Sequence, residues 1–518
     1  MSARRVMGTE TEYGVLVPGH PKENPMVLSG RVVRGYAESL GQRHVSHRWD
    51  YLDESPLDDV RGWRMDRAQA DPSQLTDEWG ADPTVSNVVL SNGARLYVDH
   101  AHPEYSAPET LSPRDAVRWD RAGELIMARA AEVIGIDPPP GTPEFDPRHG
   151  PAVALYKNNT DGKGSSYGFH ENYLLSRATP FSRVVNDLTG FFVARPLLCG
   201  AGRVGIGQFS EAPGYQISSR ADFFETLVGL ETTVRRPIIN TRDEPHAHRA
   251  KHRRLHVIVG DATFADVAGL VRMGSTSLVL GLIEAGGLDE FGGGHLRLLD
   301  PLAAMHALSH DPTLTATVET VEHRRVTGLE LLWGYYELVQ AYLERTGEGL
   351  DEDTVEVLDR WEDLMTRLGT DLMSARTHID WVAKLALLEG YRQRDGLAWG
   401  DPRLVAIDLQ WSDVRPGKGL ARRLEDRGAL ERLIPAPDVE SAVSTPPDDT
   451  RAWFRGECVR RYGARLTSAS WDSLVFEGDR EQPGRRLLTM DPLDGTRARC
   501  EALLDRCTDA TALLAEWE

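Results

Sequence analysis

Two glutamates near the start of the sequence, Glu10 and Glu12 in GTETEYG, are spaced for a shared chemical role. Residues 5–16 read as a β-strand, in which alternate side chains point to the same side. Both carboxylates would then lie on one face, where they could bind a cation together. Taken alone, the motif fits a solvated polar face on an edge strand equally well.

A second stretch, GARLYVDHAHPEYSAPE, carries a similar mixture of charge and strand-forming residues. Alternation places Arg95, Tyr97 and Asp99 on one face of a strand predicted over residues 86–100, with apolar residues between them. Glu104 follows in a segment that turns toward a helix. On its own this pattern could be no more than the polar rim of a sheet.

Histidines and arginines follow in two later stretches. YGFHENYL places His170 and Asn172 on one face of a strand, and RRLHVIVGD aligns Arg254 with His256. Arg242 lies upstream in INTRDEPHAH. A single strand histidine is more often structural than a ligand. Together, however, the four strands offer carboxylates, imidazoles and guanidiniums at their exposed faces.

This mixture of side chains indicates a metal and phosphate site. Carboxylate oxygens suit Mg²⁺, which commonly bridges to nucleotide phosphates, and arginines pair with phosphates through two hydrogen bonds. Histidine is a softer ligand than Mg²⁺ prefers, so substitution by Mn²⁺ is a useful test. The glycine-rich GAGRVGIG at 200–207 lacks the P-loop pattern, and no GxGxxG follows a strand. A Walker ATPase and a Rossmann enzyme are therefore excluded.

The elements that would position these residues indicate an α+β fold. Strands are predicted over 5–16, 86–100, 152–157, 168–176 and 254–260, and helices over 113–133, 327–345, 353–368 and 379–394. Ser112 and Pro113 have the residue types of an N-cap and first helical position. Strands in the first half and helices mainly in the second favour α+β over a regular βαβ repeat.

Two segments suggest how the chain is divided. Residues 52–85 are polar, acidic and too long for an ordinary connection, which indicates an inserted mobile loop that could gate the site. Residues 435–450 carry four prolines and precede a new helix and strand pattern. We therefore expect a catalytic domain over 1–439 and a small C-terminal domain over 440–518.

Composition limits the partners and the compartment. The formal net charge of −20 disfavours nucleic acid, which is bound by clustered lysine and arginine. The N-terminus lacks the apolar core of a signal peptide, and no run approaches the roughly 20 apolar residues that span a bilayer. The four cysteines have no CxxC spacing, so neither a zinc site nor a redox motif is indicated. We expect a cytoplasmic protein with no membrane partner.

The order of these motifs resembles that of a known superfamily. An ExE strand, a later acidic strand, a strand histidine and an RxHxxxGD strand resemble the metal-binding β-cradle of glutamine synthetases and carboxylate-amine ligases. His256 stands where the glutamine synthetase pattern has a glutamate. The motifs MGTExEYG, NGARLYxD, HPEYxxPE, YKNNxD, HENYL, INTRDEPHA and RRLHVIxGD are closer still to the enzymes that attach and remove the protein modifier Pup. This resemblance covers most of residues 5–480.

The resemblance implies a nucleotide-dependent site with two Mg²⁺ ions. It implies one ion held by Glu10, Tyr97 and Glu104, and a second held by Glu12, His170 and His256. It implies that Arg95, Arg220 and Arg242 contact the phosphates of ATP, or of ADP and phosphate, and that Trp471 lies near the nucleotide. Asp99 is the implied catalytic residue, acting as a nucleophile or as a general base on water.

Within the Pup family, the chain resembles the deamidase and depupylase branch. The ligase branch reads LDxxSHPEY and passes almost directly from an early helix to NGARLYLD, whereas this chain reads VDHAHPEY and carries the insertion with RWDYLDESPLDDVRGW. The implied reaction is hydrolysis of a side-chain amide, with Pup and pupylated proteins as partners.

Three alternatives stay open at this point. They are a Pup ligase, a small-molecule carboxylate-amine ligase, and a nucleotide-bound adaptor without turnover. The sequence also leaves the oligomeric state open, a monomer included.

Overall fold

A computed structural model describes residues 2–41, 48–68, 70, 86–136, 146–162, 164–347, 349–478 and 484–517. The helices are α1 (Pro25–Ser39), α2 (Pro113–Val133), α3 (Phe181–Ala194), α4 (Pro196–Cys199), α5 (Asp266–Glu284), α6 (Pro301–Ser309), α7 (Gly328–Thr346), α8 (Glu352–Thr370), α9 (Asp380–Asp395), α10 (Pro402–Trp411), α11 (Leu420–Glu425), α12 (Ala436–Ala442), α13 (Ala452–Tyr462), α14 (Arg497–Arg506) and α15 (Ala510–Glu516).

The strands are short and lie mainly in the first half of the chain. They are β1 (Met7–Glu12), β2 (Gly14–Leu16), β3 (Arg48–Trp49), β4 (Asn87–Val89), β5 (Arg95–Asp99), β6 (His102–Ser106), β7 (Ala154–Tyr156), β8 (Phe169–Ser176), β9 (Arg203–Ile206), β10 (Ala212–Gln216), β11 (Phe224–Gly229), β12 (Arg236–Asn240), β13 (His252–Val257), β14 (Thr317–Glu319), β15 (Arg325–Thr327), β16 (Leu466–Ala469), β17 (Ser473–Phe476) and β18 (Arg485–Leu488).

A six-stranded antiparallel sheet organises the molecule, with strands in the order β13-β8-β1-β6-β5-β4. Helices α2 and α5 pack against its back, and its front face carries the charged residues singled out above. This arrangement of an antiparallel sheet covered by helices confirms the predicted α+β fold class.

The prediction of one strand over residues 86–100 is wrong, because the structure contains a hairpin there. β4 and β5 pair antiparallel, and the chain reverses between Leu90 and Ala94. The side chain of Asn92 accepts a hydrogen bond from the Ala94 N–H at 3.1 Å, and Gly93 adopts a φ of 80°. An Asn-Gly pair is a strong turn signal, since glycine adopts positive φ without steric cost.

A second hairpin joins β5 to β6, where the sequence analysis expected only a turn toward α2. Its pairing sets Tyr97 opposite Glu104 and Asp99 opposite His102. This extra strand places Glu104 in the centre of the sheet, beside β1. Similarly, the strand predicted over 5–16 consists of β1 and β2, which pair with different neighbours.

The long helices agree with their sequence signals. The Ser112 hydroxyl accepts a hydrogen bond from the Asp115 N–H at 3.0 Å, and Pro113 occupies the first turn of α2. α7, α8 and α9 begin and end within two residues of their predicted limits. These helices and α5 contribute many residues to the large apolar cluster behind the sheet.

Helix α5 is long and apolar enough to cross a membrane by length and composition, with a mean hydropathy of 1.4 over its apolar window. It is the one such helix among the described residues, and 94% of that window is buried inside the fold. Its packing against α2, α8 and the sheet is that of a central core helix.

A separate apolar cluster forms near the C-terminus, from residues of α13 to α15 and β16 to β18 together with Trp49 and Val89. Strand β3 pairs in parallel with β16, so the segment that immediately precedes the predicted insertion is bound to this region. Within the insertion, residue 69 and residues 71–85 lie outside the described residues. The gating role of the insertion and the domain limit at residue 439 stay predictions.

Candidate active site

The front face of the sheet brings the predicted site residues together. The register sets Glu12 opposite Glu104, and Glu104 opposite Tyr97, in one row across β1, β6 and β5. Glu10 is opposite His170 in the adjacent row. Since directly opposed side chains lie about 5 Å apart, the register alone gathers carboxylates that are far apart in sequence.

One group of potential ligands consists of Glu10, His170 and His256. One ligand atom from each lies within 4.8 Å of the others. His170 Nδ1 is 3.3 Å from a Glu10 carboxylate oxygen, and the two imidazole centroids are 4.9 Å apart. His170 Nε2 is buried without a hydrogen-bond partner. This group has the donors of a mixed carboxylate and imidazole metal site.

Asn172 and Arg254 hold this first group in place. Asn172 donates to Glu10 at 2.9 Å, and its carbonyl oxygen accepts from Arg254 at 2.7 Å. The same oxygen lies 3.1 Å from His256 Nδ1. The predicted site set omits both residues, although their alternation with His170 and His256 placed them on the correct face.

The second group consists of Glu12, Asp99 and Glu104, again with ligand atoms within 4.8 Å of one another. The two glutamates are buried, at 7% and 2% exposure. An all-oxygen set of this kind matches the preference of Mg²⁺. These two groups differ from the ligand sets that the resemblance implies, since Asp99 joins the second group and Tyr97 belongs to neither. The implied ligand sets stay a prediction.

Histidine 102 supports this second group, and the sequence analysis did not assign it. Its Nδ1 is 2.9 Å from a Glu12 carboxylate oxygen, and its ring stacks on Tyr167 with centroids 4.2 Å apart. The Gly168 N–H donates to the other Glu12 oxygen at 2.6 Å. Period-two spacing from Glu104 would have found His102, had β6 been recognised as a strand.

Asp99 lies at the end of β5, where the hairpin opens toward solvent. Its side chain is 34% exposed, and His100 Nδ1 is 2.7 Å from one carboxylate oxygen. His100 itself adopts a φ of 53°, in the left-handed region that histidine enters infrequently. Asp99 is therefore the accessible carboxylate of the second group, next to two buried ones.

The pKa shifts show that the second group concentrates negative charge. Burial, followed by the charges of Asp99, Glu12 and Glu10, raises the pKa of Glu104 well above its usual range. Burial acts in the same direction on Glu12, but the hydrogen bond to His102 and nearby imidazoles outweigh it and lower its pKa to about 2. A divalent cation among these oxygens would relieve their repulsion.

In the first group, nearby basic side chains favour the ionised form of the glutamate. Burial also opposes ionisation of Glu10, yet His170, His256 and Arg254 lower its pKa well below the ordinary value. Burial and the Arg254 charge lower the pKa of His256, so its imidazole is held neutral. A neutral imidazole and an ionised carboxylate are the forms that bind metal. Both groups therefore fit divalent cations.

Tyr97 contacts the site but differs from the carboxylate ligands in charge. Burial, then the charges of Glu104 and Asp99, raises its pKa well above that of a free phenol. The guanidinium of Arg95 lies 3.8 Å from the Tyr97 ring centroid and 3.9 Å from that of Trp49. Tyr97 is thus a neutral phenol between Arg95 and Glu104, and its role as a ligand stays a prediction.

Among the remaining predicted nucleotide residues, Trp471 and Arg220 line different cavities. Arg242 Nη1 is 3.9 Å from Glu244, and its Nε is buried without a partner. Trp471 contacts the edge of Trp49 at a centroid distance of 5.3 Å. Arg220 is buried, and its Nη1 donates to the carbonyls of Ile258 at 2.6 Å and Gly260 at 2.9 Å.

Two cavities flank the metal-ligand groups. One of about 80 Å³ is lined by Glu10, Arg254, Arg451 and Trp471 among others. The other, of about 470 Å³, is lined by Glu12, Asp99, His102, Arg220 and Arg236 among others. Glu10 of the first group thus lines the cavity with Trp471, whereas His170 of the same group lines the cavity with Glu12 and Asp99.

A sheet face with two groups of candidate metal ligands, a partly exposed aspartate and buried arginines defines a site of the class that binds divalent cations and phosphate. Residues 5–475 match the model of the Pup-ligase protein family. The chain belongs to that family.

Similar proteins cover the whole chain. It is 50% identical over 512 residues to a depupylase of Acidothermus cellulolyticus, covering 99% of this chain and 98% of the relative. It is 47% identical over 517 residues to a Pup deamidase/depupylase of Mycobacterium tuberculosis, covering 99% of each. It is 34% identical over 513 residues to a Pup-protein ligase of Sanguibacter keddieii, covering 98% of this chain and 100% of the relative.

Two solved structures share the fold. A complex between Pup and its ligase PafA aligns with a TM-score of 0.77 at 29% identity, covering 100% of this chain and 92% of that chain. PafA in complex with ADP aligns with a TM-score of 0.69 at 33% identity, covering 81% and 89%.

Proposed function

We propose that this protein hydrolyses side-chain amides of Pup. It converts the C-terminal glutamine of Pup to glutamate, and it cleaves the isopeptide bond between Pup and a substrate lysine. The observation that carries this proposal is the position of Asp99, an exposed carboxylate whose ligand atom lies within 4.8 Å of those of Glu12 and Glu104. Pup and pupylated proteins are the partners, and the cytoplasm, where ATP is plentiful, is the proposed compartment.

Sequence similarity supports hydrolysis over ligation. Identity reaches 47–50% over the full length with proteins named for deamidation or depupylation. With proteins named as ligases it is 34–39%. Hydrolysis and ligation would use the same sheet face. They differ in whether water or a lysine amine accepts the glutamyl acyl group of Pup.

Asp99 has the geometry for either of two roles in amide hydrolysis. As a nucleophile, its carboxylate attacks the amide carbonyl, expels the amine and leaves an anhydride that water then opens. As a general base, it removes a proton from a water that attacks the carbonyl directly. In both routes His100, 2.7 Å from the carboxylate, orients the reacting group.

Six residues would hold two Mg²⁺ ions next to this carboxylate: Glu10, Glu12, Tyr97, Glu104, His170 and His256. The bound ions and nucleotide would supply positive charge that stabilises the oxyanion formed on the amide. Nucleotide binding is supported by similarity to PafA in complex with ADP. We propose Arg95, Arg220, Arg242 and Trp471 as the residues that contact the nucleotide.

The direct test is the mass of Pup ending in glutamine after incubation with the protein, Mg²⁺ and ATP. Replacement of the amide by a carboxyl raises the mass by about 1 Da and releases ammonia. We expect this change in the complete mixture, and none when nucleotide is omitted.

The alternative activity is tested in the same experiment. If Pup ending in glutamine keeps its mass, while Pup ending in glutamate becomes joined to a lysine protein with release of ADP, the protein is a ligase and the proposal fails.

A further inference from the structure

The wall of the 470 Å³ cavity contains a buried cation that the proposed reaction does not yet use. Arg236, the first residue of β12, is 9% exposed. Its Nη2 donates to the carbonyl of Ser166 at 2.6 Å, and its Nε is buried without a partner. Arg236 lines the same cavity as Asp99.

Arg236 has no carboxylate within ion-pair distance in the part of the chain that the structure describes. Burying a guanidinium without an anion is unfavourable, and a bound anion would offset the cost. Arg220 lines the same cavity, but it is assigned to phosphate, and its Nη1 donates to the carbonyls of Ile258 and Gly260. The cavity is therefore built to receive an anionic group at Arg236.

Both proposed substrates carry such a group. A C-terminal glutamine has a free α-carboxylate, separated from its side-chain amide by the α-carbon and two methylenes. The same α-carboxylate stays free when the side chain of a C-terminal glutamate is joined to lysine. Arginine pairs with carboxylates through two parallel hydrogen bonds, which fix orientation as well as position.

We propose that Arg236 binds the α-carboxylate of the C-terminal residue whose side-chain amide is cleaved. This inference rests on the proposed function and adds a specificity rule to it. An internal glutamine has a peptide bond in place of the carboxylate, so it would leave Arg236 unpaired. The protein thus distinguishes the terminal glutamine of Pup from glutamines elsewhere in a chain.

The test compares two forms of Pup, one ending in glutamine with a free α-carboxylate and one with an α-carboxamide. For the wild-type protein we expect kcat/KM for side-chain deamidation to be on the order of 10- to 100-fold lower for the carboxamide, as for loss of a charged hydrogen bond. Arg236→Gln should lose activity on the free acid and discriminate between the two forms less than threefold. Arg236→Lys should discriminate to an intermediate degree.

Arg235→Gln is the matched control, since Arg235 is exposed at the rim of the same cavity. It should keep the wild-type ratio between the two forms. ADP affinity should be unchanged in Arg236→Gln, which separates this role from phosphate binding. Equal kcat/KM for the two forms with wild-type protein would overturn the inference, and so would unchanged discrimination by Arg236→Gln.

A binding measurement keeps this test separate from the proposed function. Calorimetry with Asp99→Asn protein should show tighter binding of the free acid than of the carboxamide, and equal affinities would overturn the inference. If wild-type protein hydrolyses neither form, the proposed function fails, while the calorimetric comparison still decides the role of Arg236.

Discussion

The two faces of the central sheet both carry acidic residues, but these residues have different partners on each face. On the back face, Glu171 of β8 receives two hydrogen bonds from Arg195, at 2.7 and 2.8 Å, and one from Tyr173 at 2.7 Å. This carboxylate is completely buried and fully paired. It connects the sheet to the end of α3.

On the front face, Glu12, Asp99 and Glu104 converge without any lysine or arginine within ion-pair distance among the described residues. Their nearest basic groups are His100 and His102. Glu171 on the back face is therefore balanced within the chain, whereas the second group on the front face is arranged to be balanced by bound cations. Charge that is left unbalanced inside a fold is a mark of function rather than stability.

The largest effect on stability is expected on the back face. Glu171→Gln leaves the Arg195 guanidinium buried and unpaired, which should lower the free energy of unfolding by about 3–5 kcal/mol. Glu104→Gln on the front face should not destabilise the metal-free protein. Denaturant unfolding of both variants measures this difference, and equal destabilisation would remove the distinction between the faces.

For metal binding, a substitution on the front face should have a larger effect than one on the back face. Glu104→Gln removes a charged oxygen ligand, so Mg²⁺ affinity should fall by about tenfold or more. A back-face control, Tyr173→Phe, keeps the packing and should retain Mg²⁺ affinity within about twofold. Calorimetric titration with Mg²⁺ and with Mn²⁺ gives both affinities. Unchanged binding by Glu104→Gln would show that the front-face group is not a metal site.

The pH dependence of stability sharpens the same comparison. The folded pKa of Glu104 is raised above its unfolded value of about 4.3, so the folded state keeps a proton that the unfolded state releases. Glu104 therefore stabilises the folded state fully below about pH 4.3, and this stabilisation is lost as pH rises through the folded pKa.

The Glu104→Gln variant has no carboxyl at this position to titrate, so it does not undergo this loss of stability as pH rises. In metal-free protein, the melting temperature of this variant should gain on the wild type as pH rises above about 4.3. Subtracting the two profiles removes the opposite effect of His256, whose pKa is lowered. A constant difference across the range would contradict the charge concentration at Glu104.

The smallest effect is expected at His102. Because His102 orients Glu12 and does not itself belong to either ligand group, His102→Ala should lower Mg²⁺ affinity less than Glu104→Gln does, by about tenfold at most. Tyr167→Phe keeps the ring stacked on His102 and serves as the control. A larger loss for His102→Ala would make His102 a ligand rather than a positioning residue.

Much of this face could be predicted from alternation alone. Glu10 with Glu12, Tyr97 with Asp99, and His170 with Asn172 share faces as the period of two requires. The grouping into Glu10, His170, His256 and Glu12, Asp99, Glu104 could not be predicted, because it depends on strand order and register, which long-range pairing sets.

The sequence analysis does not single out His102 or Arg236, and each has its own physical reason. The sequence analysis expects a turn toward α2 where β6 lies, so it assigns no face to His102. Pro103, which has no backbone N–H to donate, weakens the strand signal of this segment. Arg236 directly follows Arg235 in the sequence, and its burial in the wall of the cavity that Asp99 also lines distinguishes it from the exposed Arg235.

The role of Asp99 is tested most directly by measuring hydrolysis and nucleotide binding with the same Asp99→Asn sample. Ammonia release from Pup ending in glutamine should fall by at least about a hundredfold, while the Kd for ADP stays within about twofold of wild type. Full hydrolytic activity in this variant would contradict the assignment of the front face as the amide-hydrolysing centre with Asp99 as its reacting carboxylate.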